Sequence, residues 1–411
     1  MRSILTFGCR VLGAVLALCV ALFITNSLSQ VEAGKYFYMY SLVVFLGTIV
    51  CLGLNTAVAK MVAVSTSIGE VRARTIPMVR LILLAGSIVS LSLYGISVCS
   101  RHLNIESLIS ENMIAYVCLA VPGYALLCFF SGLAQGRGRP VLSIAVLYTL
   151  PQLVLLSLLW LLDIKYAHSA VAVALISILV SAILVKIFVR KDFTGVFKAR
   201  VSRRQYSDAL EMGIPLTTSI LFAQASVFSI NFFLDIFSTP EAISSYAVSL
   251  RVGVIMTFVV VAVNRVYAPQ FATLYESKKY NELSELVRSI NTKLFILSTF
   301  AICAIFLFGR QLLSMFGESY QDGFPGLLLI SFGQLIATSG GTYHSLLNMT
   351  GQHRTFRNNV ILSGLITIIS GAFLIPTFDM VGAAATYAVS LVCITLLNAI
   401  AVRYFFRTIQ N

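Results

Sequence analysis

The sequence has 411 residues, of which 58% are hydrophobic and 11% are charged, with 29 Lys and Arg against 16 Asp and Glu. An average soluble domain carries about 25% charged residues, so this composition excludes an ordinary soluble protein and indicates a membrane protein. The net charge of +13 requires no nucleic-acid partner, because the basic residues follow a loop pattern described below.

Twelve apolar segments follow one another along the chain, each close to the ~20 residues that a helix needs to cross ~30 Å of hydrocarbon. Helices are the expected form, since backbone polar groups in lipid must be satisfied within the segment. The first segment is longer than the apolar core of a signal peptide, so we interpret it as a transmembrane helix. The predicted spans are residues 4–28, 36–59, 81–99, 113–134, 141–162, 167–185, 213–237, 242–268, 290–309, 323–349, 360–376 and 381–402.

The basic residues are concentrated in alternate gaps between these spans. If the N-terminus lies in the cytoplasm, 22 of the 29 Lys and Arg residues fall on that side and 4 fall on the other. The positive-inside rule therefore predicts that both termini are cytoplasmic. The remaining three basic residues, Arg10, Arg251 and Arg265, lie inside predicted spans, and Lys293, near the start of the ninth predicted span, is counted with the 22 cytoplasmic residues.

The longest polar stretch, residues 190–211, divides the predicted spans into two sets of six. We expect an N-lobe of residues 1–189, a basic cytoplasmic linker of residues 190–212 and a C-lobe of residues 213–411. Each lobe has an even number of spans, which predicts parallel lobes related by a pseudo-two-fold axis along the membrane normal. The predicted fold class is an all-α polytopic membrane protein with 12 transmembrane helices in two six-helix lobes. Residues 133–139 and 349–354, which precede the fifth and eleventh spans, have similar sequences.

Several functional classes are disfavoured by what the sequence lacks. No predicted extramembrane segment exceeds about two dozen residues, and no phosphate-binding loop motif is present, so any driving force comes from an ion, voltage or substrate gradient. The eight cysteines show no paired spacing and the four histidines lie far apart, so we predict neither a metal site nor a cofactor. We expect a protein that is not an enzyme, with coupling to a proton or sodium gradient as an option.

Arg251 is the most unusual residue, because it lies ten residues beyond Glu241 in the eighth predicted span. At ~1.5 Å per residue this is ~15 Å deep, where an arginine costs at least ~2.5 to 3.5 kcal/mol and should face a wet cavity or a partner. Arg265 follows on the same predicted helix at an angle of only ~40°, which predicts a ladder of two guanidinium groups. Arg10 lies about two turns into the first span.

Fixed guanidinium groups bind phosphate bidentately and stay charged when partly desolvated, so the three arginines predict a diphosphate-binding site. The alternatives are snorkelling for Arg10 and Arg265, and a buried ion pair of Arg251 with Asp235 or Glu32.

Other polar residues at depth include Gln224 and Asn231, which are predicted substrate contacts with helix packing as the alternative. Asp235 is a candidate for ion coupling or for an ion pair.

Four short runs resemble a known family. They are Gly-Lys-Tyr-Phe at 34–37, Cys-Leu-Gly-Leu-Asn-Thr-Ala at 51–57, Gly-Ile-Pro-Leu at 213–216 and Ser-Ser-Tyr-Ala at 244–247. With Asp235 between the last two, they resemble the polysaccharide transporter family, which includes the O-antigen flippases of the multidrug/oligosaccharidyl-lipid/polysaccharide superfamily. The resemblance covers nearly the whole chain. Lys35 departs from it, since a hydrophobic or aromatic residue is expected there.

The resemblance implies a flippase of the bacterial inner membrane. Such a protein moves an undecaprenyl-diphosphate-linked oligosaccharide, an O-antigen or related unit of lipopolysaccharide biosynthesis, to the periplasmic leaflet by alternating access. It also implies that spans 1, 2, 7 and 8 line the cavity, and these spans include all three membrane arginines. The implied partners are the lipid-linked oligosaccharide, membrane lipids and other polysaccharide-assembly proteins. The alternatives are a cation-coupled exporter of drugs or metabolites and a membrane-embedded glycan polymerase or ligase.

Overall fold

A computed structural model describes residues 2–65, 68–102, 111–162, 164–188 and 203–410. Over these residues the chain forms helices and no strands, and it divides into two compact units, Met1–Gln224 and Ala225–Asn411. Ten described helical segments are long and apolar enough to cross a membrane. The protein is therefore a multi-pass membrane protein, as the composition predicts.

The first unit is built around helix α5. The helices of this unit are α1 (Arg2–Ser27), α2 (Gln30–Val50), α3 (Leu54–Val64), α4 (Ile68–His102), α5 (Glu111–Gly136), α6 (Pro140–Ile144), α7 (Leu150–Leu161), α8 (Ala167–Phe188) and the first part of α9 (Arg203–Phe237). A π-helical turn, Ala145–Thr149, joins α6 to α7. Helix α5 packs against α2, α3, α4 and α8. Its residues Val117, Val121, Ala125 and Phe129 recur every four positions and are fully buried, so close side-chain packing supports the centre of the unit.

Two predicted spans of this unit differ from the structure. Residues 36–59 are not one helix, because α2 ends at Val50 and the backbone turns left-handed at Leu52 and Gly53 before α3 begins. A left-handed pair of residues cannot continue an α-helix. Helix α4 begins at Ile68, well before the predicted start at residue 81. The difference arises because apolar composition marks the part of a helix within lipid, while hydrogen bonding continues beyond it.

The second unit contains the rest of α9 and two more interrupted spans. Its helices are α10 (Pro240–Gly253), α11 (Thr257–Glu276), α12 (Tyr280–Ser314), α13 (Phe324–Ser339), α14 (Tyr343–Met349) and α15 (His353–Gln410), with 3₁₀ turns at Val254–Met256 and Glu318–Gly323. The eighth predicted span is thus divided into α10 and α11, and the tenth into α13 and α14. Both predictions of a continuous helix were wrong, because apolar composition does not report a local change of hydrogen-bond spacing.

Helix α15 is a hairpin with its turn at Asp379, where φ is 48° and ψ is −126°. Asn359 Nδ2 donates to Asn398 Oδ1 at 2.9 Å, so residues on opposite sides of the turn face each other. Ser363 Oγ donates to the Ser390 carbonyl at 3.1 Å in the same antiparallel order. The eleventh and twelfth predicted spans occupy the two arms.

The predicted linker of residues 190–212 is helical from Arg203 onward, as part of α9, and residues 190–202 lie outside the described residues. The two compact units meet between Gln224 and Ala225, within α9. The difference has a simple cause, because a polar sequence can continue a helix beyond the membrane. The lobe boundaries 1–189 and 213–411 stay predictions.

The sequence echo between residues 133–139 and 349–354 corresponds to one type of helix end. Gly138 and Gly351 have φ of 66° and 80°. The next residue donates its N–H to a carbonyl five positions earlier, from Arg139 to Ala134 at 3.0 Å and from Gln352 to Leu347 at 2.8 Å. This bond defines a Schellman end, which favours glycine because of its positive φ.

Candidate functional site

Arg251 lies in the last turn of α10, beside the break in the eighth predicted span. It is 11 residues beyond Pro240, or ~16 Å along the helix axis. The side chain is half-buried, and its Nη1 donates to the Ala247 carbonyl at 3.0 Å. A cation near a helix C-terminus interacts favourably with the last carbonyls by about 0.3–1 kcal/mol. The end of α10 at Gly253 therefore stabilises the charge of Arg251.

Hydroxyl groups near Arg251 fix α10 to the 3₁₀ turn Glu318–Gly323. Ser244 Oγ and Tyr320 Oη form a buried hydrogen bond of 2.7 Å, and Ser249 Oγ donates to the Gly323 carbonyl at 3.3 Å. Ser244 precedes Arg251 by two helical turns, so both lie on one face of α10. Tyr320 was not predicted as a site residue, since its role depends on a contact between distant segments.

A second polar cluster lies deep inside the same unit. Gln334 Nε2 donates to Tyr387 Oη at 3.2 Å, and Gln334 and Tyr246 are 2% and 1% exposed. Among the described residues, Gln334 Oε1 and Tyr246 Oη have no hydrogen-bond partner. Buried polar atoms without partners are destabilising by about 1–3 kcal/mol each, so this cluster resembles a packing core more than an open binding surface.

In the first unit, Arg10 lies over the ring of Tyr148, with Cζ 3.5 Å from the ring centroid. Tyr148 belongs to the π-helical turn, which Thr149 fixes to α1 by donating its Oγ1 to the Cys9 carbonyl at 3.0 Å. A cation over an aromatic face is stabilised by about 0.5 to 2 kcal/mol, depending on its desolvation. The irregular turn in the fifth predicted span thus supports the arginine of the first span.

The N–H groups of Arg10 stay available in this arrangement. The side chain is half-buried, and it makes no hydrogen bond or ion pair with other residues that the structure describes. Because a guanidinium group stacks through its face, its N–H donors point outward in the plane of the group. Arg10 can therefore bind an oxyanion bidentately while Tyr148 supports its charge.

Gln224, on α9, is held by a neighbour in the first unit. Its Nε2 donates to Thr48 Oγ1 at 3.3 Å, and Thr48 Oγ1 in turn donates to the Val44 carbonyl at 2.7 Å. Gln152, on α7, donates to Tyr40 Oη at 2.9 Å. These contacts agree with the packing interpretation, although the half-buried Gln224 retains one amide hydrogen and its carbonyl oxygen.

Three predicted polar residues lie along one face of α9. Asn231 and Asp235 follow Gln224 by 7 and 11 residues, so helical periodicity places all three within ~40°. Asn231 and Asp235 are both half-buried. Asn231 makes no side-chain hydrogen bond with the described residues.

Arg265 lies on α11, but its side chain is outside the described residues. The predicted ladder with Arg251 assumed an uninterrupted helix, and this premise was wrong. The 3₁₀ turn Val254–Met256 advances by about 120° per residue instead of 100°, so the angular relation across the break changes. The ladder itself stays a prediction.

Glu32 has local partners at the start of α2. Its Oε1 lies 2.8 Å from Lys35 Nζ, and its Oε2 accepts from the Ala167 N–H at 2.7 Å. The carboxylate thus anchors the N-terminal end of α8. Lys35, which departs from the family pattern, has a local role as the partner of Glu32.

Two of the family-like runs meet in the first unit. A Cβ placed on Gly213 would lie 2.5 Å from the Leu52 carbonyl oxygen, and one on Gly53 would lie 2.7 Å from the Gly213 oxygen. The break between α2 and α3 therefore packs backbone to backbone against α9. Within the described ranges, no group of three His, Cys, Asp or Glu side chains has a metal-binding arrangement.

Comparisons with known proteins agree with this architecture. A family model described as "Polysaccharide biosynthesis protein" matches residues 3–275. The capsular polysaccharide biosynthesis protein CapF of Staphylococcus aureus is 32% identical over 132 residues, which are 31% of this chain and 33% of that protein. The matched region thus spans about a third of the length of this relative.

Two solved structures share the fold over almost the whole chain. The lipid II flippase MurJ, in an inward closed conformation, has a TM-score of 0.76 at 15% identity, covering 99% of this chain and 89% of that one. An inward-facing multidrug resistance MATE family transporter of the MOP superfamily has a TM-score of 0.73 at 13% identity, covering 100% and 99%. At these identities the likeness shows the fold and not the substrate.

Proposed function

The chain belongs to the polysaccharide biosynthesis protein family, and we propose that it is a flippase for an undecaprenyl-diphosphate-linked oligosaccharide. The substrate would be an O-antigen or related polysaccharide repeat unit, carried from the cytoplasmic to the periplasmic leaflet of the bacterial inner membrane. Membership of the family and a flippase-like fold support the general class. The membrane arginines support the choice of a diphosphate-linked substrate.

The observation that carries this proposal is the stacking of Arg10 on Tyr148. An arginine inside an apolar span is costly, so its presence requires a partner. Tyr148 supports the charge without occupying the N–H donors, which match the oxygens of a phosphate group. A structural ion pair would instead occupy those donors.

Arg251 contributes a second cation in the other unit, at the end of a helix that is interrupted within a predicted span. Discontinuous helices and interior charges are typical of substrate sites in transporters. We assign diphosphate binding to Arg10 and Arg251, with Arg265 as a further contact. Gln224 and Asn231 would offer amide groups to the sugars, and Asp235 would bind a coupling ion or pair with a basic group.

In this proposal the polyprenyl tail stays in lipid while the headgroup crosses between two lobes of six spans. The spans would rock about a pseudo-two-fold axis along the membrane normal, with both termini in the cytoplasm. The repeated helix ends at Gly138 and Gly351 support an internal duplication. The basic loops of the sequence support the orientation.

The test is reconstitution of the purified chain in vesicles with a fluorescently labelled undecaprenyl-diphosphate-linked glycan. Flipping is measured as the fraction of label that becomes accessible to a membrane-impermeant reagent, with and without a proton or sodium gradient. We expect transport by the wild type and a large loss in Arg10→Gln, because Gln removes the charge and the parallel N–H donors of the guanidinium group.

Arg310→Gln is the matched control for this experiment. Arg310 also lies over an aromatic ring, 5.3 Å from the centroid of Phe324, but it is exposed and on the predicted outer side. Its loss should leave flipping unchanged. Equal rates for Arg10→Gln and the wild type, at equal protein levels, would refute the diphosphate role.

A cation-coupled exporter is the second candidate, favoured by the likeness to the MATE structure and by Asp235. It predicts gradient-driven efflux of cationic dyes from the same vesicles. Half-buried arginines would repel such substrates, so we expect no dye efflux. Dye efflux without glycan flipping would favour the exporter.

A further inference from the structure

A groove of about 360 Å³ opens at one end of the second unit. It lies between α12, the break between α13 and α14, and the end of α15. Its polar residues include Arg288, Asn291 and Tyr343, and its apolar wall includes Phe295 and Phe406. None of the predicted substrate-binding residues lines it.

The break between α13 and α14 is held by two asparagine side chains. Asn264 Nδ2 donates to the Gly341 carbonyl at 2.8 Å. Asn291 Oδ1 accepts from both the N–H and the hydroxyl of Thr342, at 3.3 and 2.8 Å. Because a backbone N–H can only donate, the oxygen of the Asn291 amide must face Thr342, and the orientation of this amide is fixed.

The other end of the Asn291 amide has no partner among the residues that the structure describes. Asn291 is 7% exposed and lines the groove, and its Nδ2 makes no hydrogen bond within the described part of the chain. A buried donor without an acceptor is destabilising by about 1–3 kcal/mol. Its N–H groups are therefore suited to an acceptor that enters the groove.

Arg288 gives the groove a positive charge. It is exposed, precedes Asn291 by one helical turn, and forms no ion pair with the residues described. No carboxylate is among the described residues that line the groove. Thr292 Oγ1 and Ser339 Oγ already donate to backbone carbonyls, so among the described residues the nitrogen donors left for a ligand are those of Arg288 and Asn291, beside the hydroxyl groups of Ser284 and Tyr343. This arrangement favours an oxyanion.

The apolar wall indicates that the oxyanion belongs to a lipid. Phe295 is 48% exposed, and Val402 and Phe406 continue the wall along α15. Exposed Arg403 and Arg407 lie on the same end of α15, which makes this end of the unit basic. This end of α15 is on the predicted cytoplasmic side. Basic surfaces there attract the anionic lipids of the cytoplasmic leaflet, by about 1 kcal/mol per Arg or Lys.

We propose that this groove binds an anionic phospholipid of the membrane, such as phosphatidylglycerol. Its phosphate accepts hydrogen bonds from Arg288 and Asn291, and one acyl chain lies along Phe295 and Phe406. Because Asn291 also holds Thr342, the bound phosphate links the lipid to the break between α13 and α14. The lipid stabilises the second unit, and the site is separate from the residues proposed to bind the transported substrate.

The test measures thermal stability of the purified full chain in a neutral detergent, titrated with phosphatidylglycerol, phosphatidylcholine or inorganic phosphate. We expect phosphatidylglycerol to raise the apparent melting temperature and the other two to have little effect. Arg288→Gln should weaken lipid binding and so raise the half-saturating lipid concentration by about fivefold, as expected for ~1 kcal/mol. Native mass spectrometry counts the retained lipid directly.

Two variants separate binding from folding. Arg354→Gln removes the same charge from an exposed position outside the groove and should bind phosphatidylglycerol like the wild type. Asn291→Asp keeps the oxygen that accepts from Thr342 but replaces the amide donor, and it should repel the lipid phosphate. Equal lipid responses of Arg288→Gln, Arg354→Gln and the wild type would overturn the proposal. So would equal stabilisation by inorganic phosphate.

Discussion

Helices α2 and α10 begin in the same way but end differently. Ser29 Oγ accepts from the Glu32 N–H at 3.3 Å, and Thr239 Oγ1, 210 positions later, accepts from the Ala242 N–H at 3.4 Å. Tyr36 and Tyr246 have the same separation, and both are buried. The turn that begins each helix and the aromatic residue in its second turn are thus repeated in the two units.

The similarity between α2 and α10 ends at Arg251. At the same separation, Arg251 corresponds to Ser41, whose Oγ donates to the Tyr38 carbonyl of its own helix at 2.7 Å. Helix α2 continues beyond this point to Val50, whereas α10 ends two residues after Arg251. Capping and packing are therefore kept in both units, while the cation and the nearby helix end occur only in the second. We infer that Arg251 is functional because the fold is built without it in the first unit.

The strongest test of this comparison gives the second unit the residue of the first. Arg251→Ser removes the guanidinium, and we expect the rate of glycan flipping to fall by about 10- to 100-fold, since hydrogen bonds to charged groups contribute about 1.5–3 kcal/mol. The measurement is the initial flipping rate per inserted protein in vesicles.

Ser41→Ala is the matched control, because Ser41 donates only to its own helix. We expect its flipping rate to stay within about twofold of the wild type, as for a substitution without a special contact. If Arg251→Ser transports normally, the difference between the two helices has no role in transport.

A second test asks whether the arginine of the first unit depends on its aromatic support. Tyr148→Leu removes the ring under Arg10, and we expect flipping to fall by about 2- to 30-fold, for a cation–π contact of about 0.5 to 2 kcal/mol. Tyr148→Phe keeps the aromatic face and should retain most of the activity. Equal losses in both variants would indicate that the phenol oxygen matters and the stacking does not.

The positions of most helices were predictable from the sequence because apolar length is a direct requirement of the bilayer. The interruptions at Leu52 and at Val254–Met256 were not, since hydropathy averages over a window and neither Leu52 nor Val254 is an unusual residue within a helix. The turn at Asp379 was anticipated as a gap between two spans, because a charge and Pro376 interrupt the apolar run.

The candidate site was predictable only in part, for a related reason. Arg10 and Arg251 are conspicuous because a charge in an apolar segment is costly. Tyr148 and Tyr320 are not conspicuous, because aromatic residues are common in membrane spans. Their roles come from contacts with Arg10 and Ser244, which lie 138 and 76 positions away in the sequence.

A third test concerns the hydrogen bond between Ser244 and Tyr320, which the first unit cannot copy because Gly34 lies at the position that corresponds to Ser244. We expect a coupling energy of about 0.5–1.5 kcal/mol from the single variants Ser244→Ala and Tyr320→Phe and their combination. Stability in detergent provides the measurement. Additive effects would show that the bond does not contribute to fixing α10.

The smallest effect on transport is expected where the two helices are alike. Ser29→Ala and Thr239→Ala each remove one acceptor from a backbone N–H at the start of a helix, and each should destabilise its unit by about 1 kcal/mol. Neither residue contacts the arginines, so flipping per folded protein should not change. Glu32 anchors α8 and stays in place in Ser29→Ala, so this variant should be no less stable than Thr239→Ala in detergent melting. A larger loss for Ser29→Ala would mean that the two caps are not equivalent, and the alignment of Ser41 with Arg251 would lose its structural basis.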